Sequence, residues 1–181
     1  MIRDVKRVLI SERRIKSAIR RMARSIQNDY SGRDLTVVAI LNGSLIFLAD
    51  LLRELTLPLT FDCIMVGSYK GGTKSSGQIR FLSKLKLDVR NRNVLIIDDI
   101  FDTGLTLSRV HAKILKMGAK EVKSAVLLYK MKPRSKVVEP NYSALQIHDE
   151  FVVGYGLDYA EKYRNLPYIA VLKETVIKRK Q

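Results

Sequence analysis

A chain of 181 residues, 46% of them hydrophobic, has the size and apolar content for one domain with a packed core, which excludes a disordered chain. One cysteine and two histidines exclude an internal disulfide and argue against a structural zinc site. The 33 Lys and Arg against 18 Asp and Glu leave a net charge of +15, which points either to an anionic partner or to a solvated basic surface.

No apolar run reaches the ~18 residues of a membrane-spanning helix, and no signal-peptide pattern opens the chain. The expectation is a cytoplasmic protein. Ser11 reads as the N-cap of a first helix. Its apolar stripe is Ile15, Ala18, Ile19, Met22, Ala23 and Ile26, at helical spacing. Arg13, Arg14, Lys16, Arg20, Arg21 and Arg24 cover much of the remainder, read as a solvated face in preference to a nucleic-acid face. Leu35 to Leu41 reads as a buried strand, broken by Asn42-Gly43-Ser44, and Leu45 to Leu55 as a largely buried helix that Pro58 stops. Leu59 to Val66 reads as the next strand, with Cys63 as a packed residue.

Gly67 to Gly77 has the composition of a loop or hairpin. It approaches a phosphate-binding P-loop but fails the spacing, because Thr73 stands where lysine is required. Gln78 to Leu82 reads as a returning strand, and Asp88 to Asn93 as a polar turn. Val94 to Ile97 is a buried strand ending in Asp98 and Asp99. A helix follows Thr106, carries Leu107, Val110, Ile114, Leu115 and Met117, and ends at Gly118. Val122 to Leu128 is a further strand, Lys130 to Pro140 a loop, Phe151 to Asp158 an irregular strand and turn, and Tyr168 to Leu172 the last strand. His111 and His148 read as surface residues. Buried strands alternating with helices predict an α/β fold with a mostly parallel sheet. No repeat or linker divides the chain.

The segment Val94-Leu95-Ile96-Ile97-Asp98-Asp99-Ile100-Phe101-Asp102-Thr103-Gly104-Leu105-Thr106 carries the chemistry. Backbone amides at a helix start, with the Thr103 and Thr106 hydroxyls, suit a phosphate monoester. Gly104 allows close backbone approach. Asp98 and Asp99, expected on opposite sides of the strand end, suit ribose hydroxyls or magnesium. Asp102 is free to act as a base. The plainer alternative is an acidic helix N-terminus with a threonine cap.

This segment resembles the phosphoribosyl diphosphate signature of the type I phosphoribosyltransferases. Leu41-Asn42-Gly43-Ser44 resembles the pyrophosphate-side loop of their hypoxanthine-guanine branch. Gly67-Ser68-Tyr69 resembles its lid, and Leu127-Leu128-Tyr129-Lys130 its base-reading segment. Phe151 to Tyr159, with Glu161, Tyr163 and Arg164, resembles its hood. The resemblance spans roughly residues 5 to 172. It implies a single domain over 1–181, with a small hood from about 140–181 plus N-terminal residues, and a flexible active-site loop.

The resemblance implies transfer of the 5-phosphoribosyl group from phosphoribosyl diphosphate to hypoxanthine or guanine, with Mg2+. Asp102 would be the general base at purine N7, and Thr103, Gly104, Leu105 and Thr106 would cradle the 5′-phosphate. Asp98 and Asp99 would bind the ribose hydroxyls, directly or through magnesium. Lys130 would donate to O6, Phe151 would stack on the base, and the Val152 backbone would meet its edge. Leu41, Asn42, Gly43 and Arg164 would serve the pyrophosphate, Ser68 and Tyr69 the lid, and Asp158 a second magnesium. A homodimer or homotetramer is also implied. Taken singly, Phe151 would more often be core and Lys130 a loop charge. Asp158 would more often cap a helix over Tyr159 to Tyr163, and Arg164 pair with a surface acid. Their joint order along the chain selects the functional reading. The pattern departs from the family at Asn42 and Leu105, where relatives carry basic residues. Ser143 to His148 also departs from the usual run, and the sequence offers no account of it. The alternative function is a nucleotide-sensing, RNA-binding regulator on the same fold, kept open by the net charge.

Overall fold

The computed structural model describes residues 2–68, 79–134 and 137–178. After a 3-10 turn at Ile2–Asp4, the elements run β1 (Val5–Ile10), α1 (Glu12–Asp29), β2 (Leu35–Leu41), α2 (Leu45–Glu54), β3 (Leu59–Ser68), β4 (Ile79–Phe81), β5 (Asn93–Phe101), α3 (Leu105–Lys116), β6 (Glu121–Lys130), β7 (Tyr142–Ile147), β8 (Ile169–Leu172) and α4 (Glu174–Lys178). Among these residues the main sheet has the order β4-β3-β2-β5-β6-β7. All its pairings are parallel except β3 with β4.

The central strands are apolar without alternation because helices cover both faces. Leu95 and Ile97 of β5 enter one core with Val37, Ala39 and the stripes of α1 and α2. Val94 and Ile96 enter the other with Val38, Ile40 and Leu107, Val110 and Ile114 of α3. The period-two alternation therefore divides one apolar run between two cores. All six residues of the α1 stripe are buried, as the spacing predicts. Its outer face is solvated, with Lys16 paired to Glu12 and Arg20 to Glu54. Ser11 sits at the N-cap and accepts the Ile15 amide at 3.1 Å through its carbonyl, with no side-chain cap. Cys63 packs half-buried against the first core.

A smaller sheet pairs β1 with β8 antiparallel, and Val153 bridges to Ala170 beside it. Val153, Tyr163, Leu166, Ala170 and Leu172 form a third apolar cluster there.

Several expectations need correction. β5 does not stop at Ile97 but continues through the carboxylates to Phe101, since its pairing with β6 persists to Phe101 and Tyr129. Lys130 closes β6 and is not a loop residue. Leu115 is exposed, because it lies off the stripe that faces the sheet. Gly118 follows the cap residue Met117 with φ +88°, the left-handed form expected of a helix-ending glycine. No helix forms at Tyr159 to Tyr163. Ala160, Glu161 and Tyr163 have positive φ, and a Tyr159–Lys162 bridge closes a tight turn. Within the stretch Ser143 to His148, residues Ser143 to Ile147 belong to β7, the parallel edge strand, whose mostly half-exposed residues conceal a strand in the sequence, and His148 follows it. β1 and α4 were also not legible; each is short and only partly apolar.

Ile97 is fully buried in the first core. Ile97→Ala should cost about 2–5 kcal/mol in urea unfolding, the range for a large-to-small change in a packed core. A loss below about 1 kcal/mol would mean that this core repacks freely.

Candidate active site

The sheet places the end of β5 beside the ends of β2 and β6. Ligands in open α/β sheets sit at such carboxyl ends. A cavity of about 250 Å³ opens there, lined by Leu41, Gly43, Asp98, Asp99, Asp102 and the Thr103 to Thr106 turn. A larger opening of about 700 Å³ lies at the opposite end of the sheet, where Leu35, Leu59 and Asn93 start their strands, remote from these carboxylates.

Gly104 adopts φ +77° as the N-cap of α3. The first helical bond is donated by Ser108 to the Gly104 carbonyl at 3.0 Å, which leaves the earlier amides of the turn without a helical acceptor. A Cβ on Gly104 would press on Phe101 and Val137, so the turn is confined from behind. Thr103 is exposed and Thr106 half-exposed at its mouth. Leu105 points its side chain to solvent, so an anion here depends on amides and hydroxyls.

Asp98 is buried and Asp99 half-buried. The Asp99 amide donates to Asp98 Oδ1 at 3.0 Å. Alternation along a strand would part the two side chains, yet the carboxyls still influence each other electrostatically. Burial pushes the Asp98 carboxyl well above the usual carboxylate range, with the Asp99 charge adding to it. Burial also raises Asp99, against a lowering by the Asp98 hydrogen bond and by Arg164.

The loop after β2 closes on this pair. The Leu41–Asn42 peptide is cis. A Cβ on Gly43 would fall on the Asp99 carboxylate, and a Cβ on Gly156 would fall on the Gly43 carbonyl. Gly156 also has φ +101°. Both glycines are therefore required by close approach. Asn42 is exposed at the rim.

Asp102 is not free. Its carboxylate pairs with Lys130 Nζ at 3.3 Å and with Lys132. Lys130, 8% exposed, lies 3.1 Å from Asp149 as well. The hydrogen bond from Lys130 holds the Asp149 carboxyl below the usual range, and the hydrogen bond to Asp102 raises the Lys132 ammonium. Arg134 ties the two strand ends together. It donates to the backbone carbonyls of Phe101 at 3.1 Å, Asp102 at 2.6 Å, Lys132 at 3.1 Å and Lys130. Its guanidinium also stacks 4.4 Å from the Phe101 ring and 4.7 Å from the Tyr129 ring.

Phe151 is an exposed aromatic, 49% accessible, held edge-on by Tyr159 at 5.7 Å, and Val152 beside it is buried. Arg164 donates to the Gly156 carbonyl at 2.8 Å and pairs with Asp158 at 2.8 Å and Glu161 at 3.0 Å. The other Asp158 oxygen accepts the Glu161 amide at 2.9 Å. Asp158 thus caps a turn and binds Arg164. Among the described residues no cluster of three or more His, Cys, Asp or Glu gathers as ligands, so Asp158 does not join Asp98 and Asp99. Ser68 ends β3, and Tyr69 lies outside the described residues. Lys132, Arg134 and Asp149 were missed in the sequence. They sit among prolines, basic residues and polar turns that carry no spacing signal.

Because Asp98 is protonated more readily in the fold than in the unfolded chain, its burial lowers stability progressively as pH rises above about 3.9, the unfolded value. Asp98→Asn should therefore raise the melting temperature of the free protein at pH 7, with the gain shrinking toward pH 4. Destabilisation at pH 7 would contradict this. Arg134→Ala should lower stability by about 1–3 kcal/mol, the cost of leaving buried carbonyls unpaired, as measured by denaturant melts.

The Phosphoribosyl transferase domain family matches residues 9–160. The chain is 43% identical over 173 residues to the hypoxanthine-guanine phosphoribosyltransferase of Streptococcus pneumoniae, covering 96% of each chain. It is also 43% identical to the enzyme of that name in Staphylococcus epidermidis, covering 97% of this chain and 98% of the relative. The crystal structure of a hypoxanthine phosphoribosyltransferase from Staphylococcus aureus superposes with TM-score 0.92 at 40% identity, covering 97% of this chain and 96% of that one. With the family matched over most of the chain and these identities held over nearly its full length, the chain belongs to the phosphoribosyltransferase family.

Proposed function

We propose that this protein transfers the 5-phosphoribosyl group of phosphoribosyl diphosphate to a 6-oxopurine, giving a purine nucleoside monophosphate and pyrophosphate. The carrying observation is the Lys130–Asp102 pair, an ammonium and a carboxylate 3.3 Å apart beside the phosphate turn. Hypoxanthine and guanine present an acceptor, O6, next to N7, which bears a proton in one tautomer. A donor and an acceptor at adjacent strand ends match that edge. Adenine presents an amino donor in place of O6 and would face the Lys130 ammonium unpaired, a mismatch that discriminates strongly.

In this reading the Thr103 to Thr106 turn holds the 5′-phosphate, and Asp98 and Asp99 hold the ribose hydroxyls. Phe151 lies over the purine and the Val152 backbone meets its edge. Leu41, Asn42, Gly43 and Arg164 serve the pyrophosphate, and Ser68 and Tyr69 belong to the lid. The N9–C1′ bond forms as the C1′–O bond to pyrophosphate breaks, and Asp102 accepts the N7 proton. Charge develops at the ribosyl centre, so alignment and fixed charges supply most of the acceleration.

A buried pair of adjacent carboxylates with upward-shifted titration fits Mg2+, which takes one or two carboxylates and completes its shell with substrate oxygens and water. Asp98 and Asp99 would hold such an ion, which when bound would supply positive charge to offset the leaving pyrophosphate. Asp158 would reach a second ion only by giving up Arg164. We read the β1–β8 layer with residues 151–166 as the hood of one domain. A cytoplasmic homodimer or homotetramer belongs to the same proposal. The RNA-binding alternative gains nothing from the relatives, and the basic face of α1 is read as solvated.

Incubation with Mg2+, phosphoribosyl diphosphate and hypoxanthine should yield IMP and pyrophosphate, and adenine should give no comparable product. Absence of both products would sink the proposal. Asp102→Ala should cut turnover by about 10²–10⁴-fold, the span for a general base. Near-normal turnover in that variant would remove Asp102 from the role.

A further inference from the structure

Asp102, Lys130, Lys132 and Asp149 form a closed ring of alternating charge. Lys130 lies 3.3 Å from Asp102 and 3.1 Å from Asp149. Lys132 pairs with the other Asp102 oxygen and lies 3.5 Å from Asp149. Each cation meets both acids. The ring joins the end of β5, the end of β6 with its following turn, and the turn after β7. Arg134 steadies the turn through the Lys132 carbonyl at 3.1 Å.

The purine-binding reading asks Lys130 to turn a donor toward O6. Its ammonium has three donors, and two are already directed at carboxylates. The hold of those carboxylates sets what O6 competes against. Lys132 shares both acids, so it weakens their combined hold on Lys130. Removing the Lys132 charge leaves two carboxylates to one ammonium. Removing the Asp149 charge leaves one carboxylate between two ammonium groups.

We propose that Lys132 and Asp149 are positioning residues that set, with opposite sign, the availability of the Lys130 ammonium to the 6-oxo oxygen of the purine. The inference rests on the reading of Lys130 as the purine donor. Lys132 is 24% exposed and Asp149 53% exposed in their side chains, so solvent screens the effect to a modest size.

Steady-state kinetics with hypoxanthine and phosphoribosyl diphosphate varied separately test this. Lys132→Met should raise the KM for hypoxanthine about 2- to 5-fold, and Asp149→Asn should lower it about 2- to 3-fold, as expected of partly exposed charge pairs. The KM for phosphoribosyl diphosphate should stay within about twofold in each, since neither Lys132 nor Asp149 lines the cavity at the Thr103 to Thr106 turn. Lys132→Arg keeps the charge and should restore the wild-type value. In a Lys130→Ala background both effects should vanish, because they act through Lys130. Lys132→Gln serves as the neutral variant if the Met variant does not fold. Shifts of equal sign, a parallel rise in both KM values, or effects that persist without Lys130 would overturn the inference. If Lys130→Ala alone left the hypoxanthine KM unchanged, the reading of Lys130 as purine donor would fall first and the inference with it.

Discussion

Burying two adjacent carboxylates at the end of the central strand is the constraint on which the rest of the site depends. Asp98 and Asp99 sit where β5 still pairs with β6, so they are held by sheet hydrogen bonds and not by a loop. Their burial pushes both titrations up, which is a standing cost to the free protein. Strain of this kind, concentrated at one site, is characteristic of function. The neighbours are shaped around it. Gly43 has no room for a side chain against Asp99, and Gly156 none against Gly43. Arg164, anchored on the Gly156 carbonyl, brings positive charge toward Asp99. The β1–β8 layer is thereby registered over the strand ends through a chain of backbone contacts.

A second charge system lies at the ends of β5 and β6, and its Asp102 shares a cavity with Asp98 and Asp99. Asp102 and Lys130 face each other there only because the parallel register aligns Phe101 with Tyr129, one residue before each. Arg134 caps both strand ends at once through four carbonyls and two aromatic rings. A carboxylate and an ammonium placed at rigid strand ends hold their spacing better than groups on loops.

The fold was largely legible because its signals are local. The stripe of α1 is a helical period, and β2, central β5 and β6 are apolar runs with β-branched residues. The elements not seen were those whose residues are half-exposed. β7 alternates weakly at a sheet edge, and β1 is held by its β8 partner more than by its own pattern. The plainer alternative for Asp158, a cap on a helix over Tyr159 to Tyr163, fails because positive φ at three residues closes a turn there instead. The candidate site was proposed from the sequence where chemistry and order coincide, from Asp98 through Thr106 and from Phe151 through Arg164, and the structure brings Asp98, Asp99, Asp102 and the following turn to one cavity.

By itself the sequence determined the α/β alternation, the two-sided burial of the central strands, the glycine turn that opens α3 and the identity of the acids around it. These follow from periodicity, helix-start chemistry and residue type, all of which act over a few neighbouring residues. The tertiary structure alone decided which charges meet. Asp102 is not a free base but part of a ring with Lys130, Lys132 and Asp149, from residues up to 47 positions apart. Asp158 is committed to Arg164, and Gly43 to Asp99. Such pairings depend on strand register and on the docking of distant segments, and no local pattern encodes the 3–4 Å distances on which electrostatic partnership depends.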